Sequence, residues 1–283
     1  AQLRYHGASG RTERLLLRLS LANFIETRFA AAGGRAPLVD LVLHAGATYR
    51  AADGGVWGYP VKFEMIGIQG ADQLPPEAQE KLTSELAPIT RTTAVFEIDD
   101  RGITRNAKVN VPPEASPRLL ALLGNLRTTL LAAALPKENV GIGARWQAER
   151  IVHVGELKVP QTVTYTLLAR EEDVLRIGIS LRQSATPQEF TLGLDGTKLQ
   201  IEAYEVNAVG STLVDLHGFA PLSEIHAVSQ LRATLQRGAQ VEPVAVNGDL
   251  TILIAPLPEG AGPAPASQEA APAAAAAPGT TGT

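Results

Sequence analysis

The chain has 283 residues, 45% of them hydrophobic and 19% charged, enough for one large all-β domain or two ordinary ones. A net charge of −4 without a dense basic run argues against a dedicated nucleic-acid binder, and the absence of cysteine excludes disulfides, thiolate metal sites and a cysteine nucleophile. No apolar run reaches the roughly 20 residues that a membrane-spanning helix needs, and a start at Ala1 instead of Met fits a chain trimmed after export, a simple cloning boundary being the alternative.

Along the chain the dominant signal is period-2 alternation punctuated by turn dipeptides. Leu15, Leu16, Leu17, Leu19 and Leu21 form an unusually apolar opening segment. Turns are expected at Asp53-Gly54-Gly55, Asp100-Arg101-Gly102, Asp195-Gly196 and Asn247-Gly248, because these residues tolerate positive φ. A short helix is predicted over 75–86, closed by Pro88. A longer one is predicted over 116–134, where Leu119, Leu122, Leu123, Leu126 and Leu130 fall at helical spacing behind a capping Ser116 and Pro117. In 157–167, Val159, Val163, Tyr165 and Leu167 share one face and Thr162, Thr164 and Thr166 the other. Leu175, Ile177, Ile179 and Leu181 repeat the pattern after the charged turn Glu171-Glu172-Asp173, so the two runs read as a hairpin. Residues 223–236 fit either period; the turn signals around them favour a strand. Residues 258–283 lack large apolar side chains and are expected to be a disordered Ala/Pro-rich tail, leaving 1–257 as a single β-rich domain.

Short connections imply antiparallel pairing. The expected fold is mainly β with some helix (α+β): a large curved antiparallel sheet or half-barrel with two helices packed on it. The stretch LPKENVGIGARW, 135–146, tests this reading. A dinucleotide-binding glycine loop follows a strand and opens a helix. Here the expected helix precedes Gly141 and Gly143, and alternation follows them. A turn into a strand whose Trp146 enters the core is the better reading.

Leu135-Pro136, Val140-Gly141, Gly143-Ala144 and Trp146 resemble the hallmark of a family of uncharacterised bacterial secreted proteins and lipoproteins, and Leu3, Arg4 and Tyr5 are similar to the start of their mature chains. The resemblance implies a periplasmic or extracellular location and a curved sheet like the half-barrels of lipoprotein-localisation carriers and mycobacterial lipid-binding lipoproteins. It carries over no catalytic residue.

Chemistry-bearing patterns are sparse. His6, His44, His153, His217 and His226 form no metal-binding spacing, no calcium loop is present, and no cofactor is implied. Asp215 and His217 lie two apart but lack a nucleophile elbow. The acids Asp99, Asp100, Glu171, Glu172 and Asp173 sit where turns are expected and are read as solvated or bonded to backbone N–H groups. An apolar groove lined by Val61, Phe63, Met65, Leu122, Leu126, Val163, Tyr165, Ile177 and Ile179 is the candidate site; the same residues also suit a filled core. The expectation is a non-enzymatic envelope protein binding a lipid or acyl chain, the alternative an adaptor with a solid core and an envelope protein as partner.

Overall fold

A computed structural model describes the chain except residues 1, 8, 28–33, 36–38, 53–54, 71–73, 117–118, 120–122, 124–132, 155–156, 193–196 and 258–283. In chain order the strands are β1 (Thr12–Thr27), β2 (Gly34–Arg35), β3 (Val39–Thr48), β4 (Arg50–Ala52), β5 (Val56–Gln69), β6 (Thr93–Asp99), β7 (Thr104–Asn110), β8 (Arg145–Val154), β9 (Leu157–Glu171), β10 (Val174–Ala185), β11 (Gln188–Leu192), β12 (Thr197–Asp215), β13 (Leu222–Arg237) and β14 (Gln240–Leu257). Helix α1 (Pro76–Leu86) runs into a 3₁₀ turn, Ala87–Arg91, between β5 and β6.

All strands join one 14-stranded sheet in the order β7-β6-β5-β3-β1-β14-β13-β12-β10-β9-β8, with β2, β4 and β11 as side branches. Every pairing is antiparallel. The expected antiparallel fold is therefore observed. Its order has a consequence: β1 pairs along its length with β14, so the two ends of the sheet's chain meet in its middle. The outer edges, β7 and β8, are consecutive in sequence and joined through 111–144.

Alternation decides which side is inner. Leu15, Leu17, Leu19, Leu41, Leu43, Val61, Phe63, Phe96, Val163, Leu167, Leu175, Ile177 and Ile254 are all buried in one hydrophobic cluster. Phe96 on β6 and Val163 on β9 lie near opposite ends of the strand order yet share that cluster. The sheet therefore curls round its apolar face without closing, and burying that face is the main favourable term.

Of the expected turns that the described residues cover whole, those at Asp100-Arg101-Gly102 and Glu171-Glu172-Asp173 form and that at Asn247-Gly248 does not. Asp99 Oδ1 accepts from the backbone N–H groups of Arg101 and Ile103 at 3.0 and 2.9 Å, which fixes the β6–β7 turn. Glu171 pairs with Val174 across the β9–β10 hairpin, with Glu172 at φ 52°. Asn247-Gly248 is not a turn. Both residues lie inside β14, paired to Phe24 and Asn23 on one side and to Gln230 and Ser229 on the other. The bend lies earlier, where Gly238 takes φ 59° and Arg237 pairs with Gln240. Residues 223–236 are strand throughout.

Helix α1 matches the 75–86 expectation, with Pro76 in its first turn and Leu86 buried. Of the longer helix, Leu119 and Leu123 are helical and buried. The Ser116 hydroxyl caps it, accepting from the Leu119 N–H at 3.1 Å. The remainder of that expected helix, including the candidate residues Leu122 and Leu126, lies outside the described residues, as do the Asp53-Gly54 and Asp195-Gly196 steps and the tail.

Candidate functional site: the concave face

One end of the curled sheet is sealed. The segment before β1 crosses it, with Leu3 and Tyr5 fully buried. The Tyr5 N–H donates to Asp100 O at 2.7 Å and the His6 N–H to Leu216 O at 2.6 Å, so this strap ties the end of β6 to the end of β12. The Tyr5 ring packs on Phe219 at 5.0 Å, which in turn meets Tyr49 at 5.1 Å and Tyr59 at 6.0 Å. Such tilted aromatic pairs fill volume and add modestly to area burial.

A carboxylate sits beneath this aromatic plug. Glu13 Oε2 accepts from the Tyr49 hydroxyl and from the Ala220 N–H at 3.0 Å, while the Phe219 N–H donates to the Tyr49 oxygen. A side chain at Gly218 would collide with the Glu13 carboxylate, so glycine is what lets this loop approach. Burial raises the pKa of Glu13, against the lowering effect of Tyr49 and Arg11, and burial likewise raises that of Tyr49.

The motif around Trp146 belongs to the same sealed end. Gly143 takes φ 84°, its N–H donates to Leu167 O at 2.8 Å, and the Ala144 N–H closes onto Gly141 O at 3.1 Å. The glycine loop thus turns the chain into β8. Trp146 then stacks on Tyr165 at 5.7 Å and its indole N–H donates to Ala134 O at 2.6 Å. Trp146 is half-buried against the core and not wholly inside it. Leu135 is buried and its backbone N–H and C=O both bond Arg101, at 2.8 and 3.0 Å. Arg4 reaches Pro136 O at 2.9 Å and Asp100 at 3.3 Å. These contacts draw the two free edges of the sheet together at this end.

The candidate groove residues divide. Val61, Phe63, Val163, Tyr165 and Ile177 are at most 8% exposed and belong to the filled part of the core. Met65 does not face inward. A bulge makes Glu64 the extra residue on β5, so that Met65 opposes His44 and Ile66 takes the inward place opposite Leu43. Ile179 is inward and only partly covered.

Further from the sealed end the inner face loosens. Ile66, Ile68, Ile179, Leu181, Ile225 and Leu250 pack on the core but remain partly uncovered. A cleft of about 200 Å³ lies between α1 and β5, lined by Ile66, Ile68, Gln79, Thr83, Leu86 and Ala87. Beyond this zone a second, smaller cluster is built on Val152, Leu157, Val159, Ala185 and Ile201.

Between the two clusters the inner face carries a polar band. The strand register places Arg150 of β8 beside Gln161 of β9, which faces Gln183 of β10; further across, Val206 of β12 opposes Ser229 of β13. Arg150 Nε donates to Gln161 Oε1 at 2.8 Å, and Gln161 is 2% exposed. Desolvation lowers the pKa of Arg150, with Tyr165 acting in the opposite sense, although the residue as a whole stays exposed to solvent. Sequence reading missed this band, although the signal was there: Gln161 interrupts the apolar parity of Val159, Val163, Tyr165 and Leu167.

The other candidate chemistry does not assemble. His217 Nε2 faces Asp173 Oδ2 at 3.0 Å, whereas Asp215 accepts from the His217 backbone N–H instead of orienting its ring. No group that could hold a metal ion occurs among the described residues. No helix among them is long and apolar enough to cross a membrane.

No family model matches the chain, and no curated protein matches it. Among solved structures, one titled for lipid–protein interactions in lipovitellin is similar over 91% of this chain, with 8% identity and a TM-score of 0.47. This chain spans only 27% of the lipovitellin chain. A mutant of Rh. blastica porin is similar over 86% of this chain and 100% of its own, with 11% identity and a TM-score of 0.25. Likenesses this distant leave function to the geometry of the concave face.

Proposed function

We propose that the protein binds an apolar ligand, a lipid or acyl chain, against the concave face of its sheet, and that it does so without catalysing a reaction. One observation carries this reading: the inward, apolar residues Ile179, Leu181, Ile225 and Leu250 lie on the core side of the sheet yet are only partly covered. Apolar surface left open on a concave wall is where a hydrophobic ligand gains most from leaving water. The cleft beside α1 exceeds the 150 Å³ or so at which an engineered apolar cavity accepts benzene, so it suits one segment of a chain and not a whole lipid. An exported, envelope-located role and membership of the family sharing the Leu-Pro/Gly-x-Gly-Ala-x-Trp signature rest on that signature in residues 135–146.

Native mass spectrometry of protein purified without detergent, together with titration of a dansyl-labelled fatty acid, tests the reading. Co-purifying lipid or saturable binding is expected, with at least about a tenfold loss in an Ile225→Asp variant that places a charge on the wall. A bare mass together with no titratable binding overturns it. The solid packing of Val61, Phe63, Val163 and Ile177 favours the second reading, an adaptor whose core holds nothing, and that is what the negative result would leave standing.

A further inference from the structure

Helix α1 leans away from the sheet. Its apolar stripe, Ala78, Leu82 and Leu86, recurs at every fourth residue and so runs along one face. Burial rises along that stripe toward the C-terminal end: Ala78 is exposed, Leu82 partly covered and Leu86 buried. Among the described residues the anchor lies at that end, where Pro88 and Ile89 of the 3₁₀ turn are buried and the Ser116 hydroxyl donates to Glu85 O at 3.1 Å. The space under the raised part is the cleft of about 200 Å³, floored by Ile66 and Ile68 of β5 and roofed by Gln79 and Thr83. The Thr83 hydroxyl turns back on its own helix, donating to Gln79 O at 2.9 Å. A helix of 11 residues is shorter than the roughly 12–15 at which helices become even marginal in water without packing, and residues 76–81, all exposed, gain little packing from the sheet.

We infer that the far end of the bound acyl chain enters this cleft and that α1 closes over it as a lid. This rests on the apolar-ligand reading above and adds where the chain ends and what covers it. Strand register supplies the route. Ile225 opposes Ile252, Ile252 opposes Leu19, Leu19 opposes Leu41 and Leu41 opposes Ile68, an unbroken apolar row from the open wall to the cleft floor. Its middle members, Ile252, Leu19 and Leu41, are 5–8% exposed, whereas Leu15, Leu17 and Leu43, nearer the sealed end, are at most 1%. The row therefore marks where the filled core gives way to the open wall. Four strand steps of about 4.8 Å span about 19 Å, somewhat more than the roughly 15 Å that one lipid tail occupies in a bilayer leaflet. A chain end lying on Ile66 and Ile68 gives the raised half of α1 the apolar surface it lacks. Docking of the helix and binding of the chain then stabilise each other.

The test is hydrogen exchange of the full chain with and without saturating hexadecanoate, read by mass spectrometry, alongside titration of hexadecanoate and its ω-hydroxy derivative. Protection of the amides of residues 79–83 should rise about tenfold or more on binding. The ω-hydroxy derivative should bind about tenfold weaker, because its far end carries a hydroxyl into an apolar cleft. The variant is Glu80→Gly with Lys81→Gly, two exposed positions outside the cleft lining whose joint replacement keeps the net charge. It should bind hexadecanoate about fivefold weaker, since each glycine weakens the helix, and thermal unfolding shows that it is folded. Unchanged exchange at 79–83 in a chain that binds hexadecanoate, or affinity within twofold of the parent in the double-glycine variant, overturns the lid. Equal binding of the two ligands overturns the seat of the chain end. Each of these results leaves the apolar-ligand reading intact, whereas failure of the full chain to bind hexadecanoate removes both.

Discussion

Glu13 shows how a largely buried acid can sit in a β sheet. Its carboxylate takes hydrogen bonds from Tyr49 and Ala220, and Arg11 approaches to 3.5 Å, yet burial outweighs these and raises its pKa. The folded state therefore holds the Glu13 proton more tightly than the unfolded chain does. The stability this contributes is complete below the ordinary carboxylate range and is lost as pH rises through the folded value. Thermal unfolding of the full chain and of Glu13→Gln across pH 4 to 8 should diverge in that sense: the parent loses melting temperature relative to the variant as pH rises, because glutamine still accepts the Tyr49 hydroxyl but never ionises. Parallel curves would refute the assignment. At this same scale the sequence announced Trp146 but not its partners, since nothing local tells an indole to find Ala134 O or Tyr165.

Among elements, the β6–β7 hairpin is the clearest case of local chemistry fixing tertiary geometry. Asp99 binds the backbone on both sides of Gly102 and pairs with Arg105 at 2.7 Å, while the Arg101 that follows it bonds Leu135. One turn thus holds edge strand β7 and the approach to edge strand β8. Asp99→Ala should cost about 1–3 kcal/mol in urea unfolding, since it removes acceptors from two buried-end N–H groups, and Asp99→Asn should recover part of that. A cost indistinguishable from zero would mean that water replaces the carboxylate freely. The bulge on β5 is the opposite case. Alternation through Val61 and Phe63 points to Met65 next, and one extra residue at Glu64 hands the inward place to Ile66. Periodicity cannot show a bulge, because its cause is the register of the neighbouring strand β3.

For the whole molecule, the pairing of β1 with β14 is decisive. It joins an N-terminal meander, β1 to β7, to a C-terminal one, β8 to β14, through a contact that spans nearly the whole sequence. Ending the chain at Gly238 should therefore remove more than one strand. It leaves both β1 and β13 with a bare edge and opens the apolar wall, so cooperative urea unfolding, followed by circular dichroism, should disappear rather than merely shift to lower denaturant. A truncated chain that keeps a single sharp transition would show that the two meanders are independent units. The same pairing makes the mean separation of contacting residues large, the topology for which folding in milliseconds to seconds is typical.

The sequence by itself determined the antiparallel sheet, the turns at Asp100-Arg101-Gly102 and Glu171-Glu172-Asp173, helix α1, the cap at Ser116 and the role of the 141–143 glycines, because each is set by side-chain parity or by φ at a few adjacent residues. It misplaced the last bend at Asn247-Gly248, where pairing with strands on both sides overrides a turn preference worth less than the hydrogen bonds of a central strand. Strand order and the sealed end belong to the tertiary structure alone, and so do the cross-strand neighbours of the polar band, of which only Gln161 left a mark in the sequence. They depend on which strands lie side by side, and that is decided by where the whole apolar face finds cover, not by any residue's neighbours in the chain.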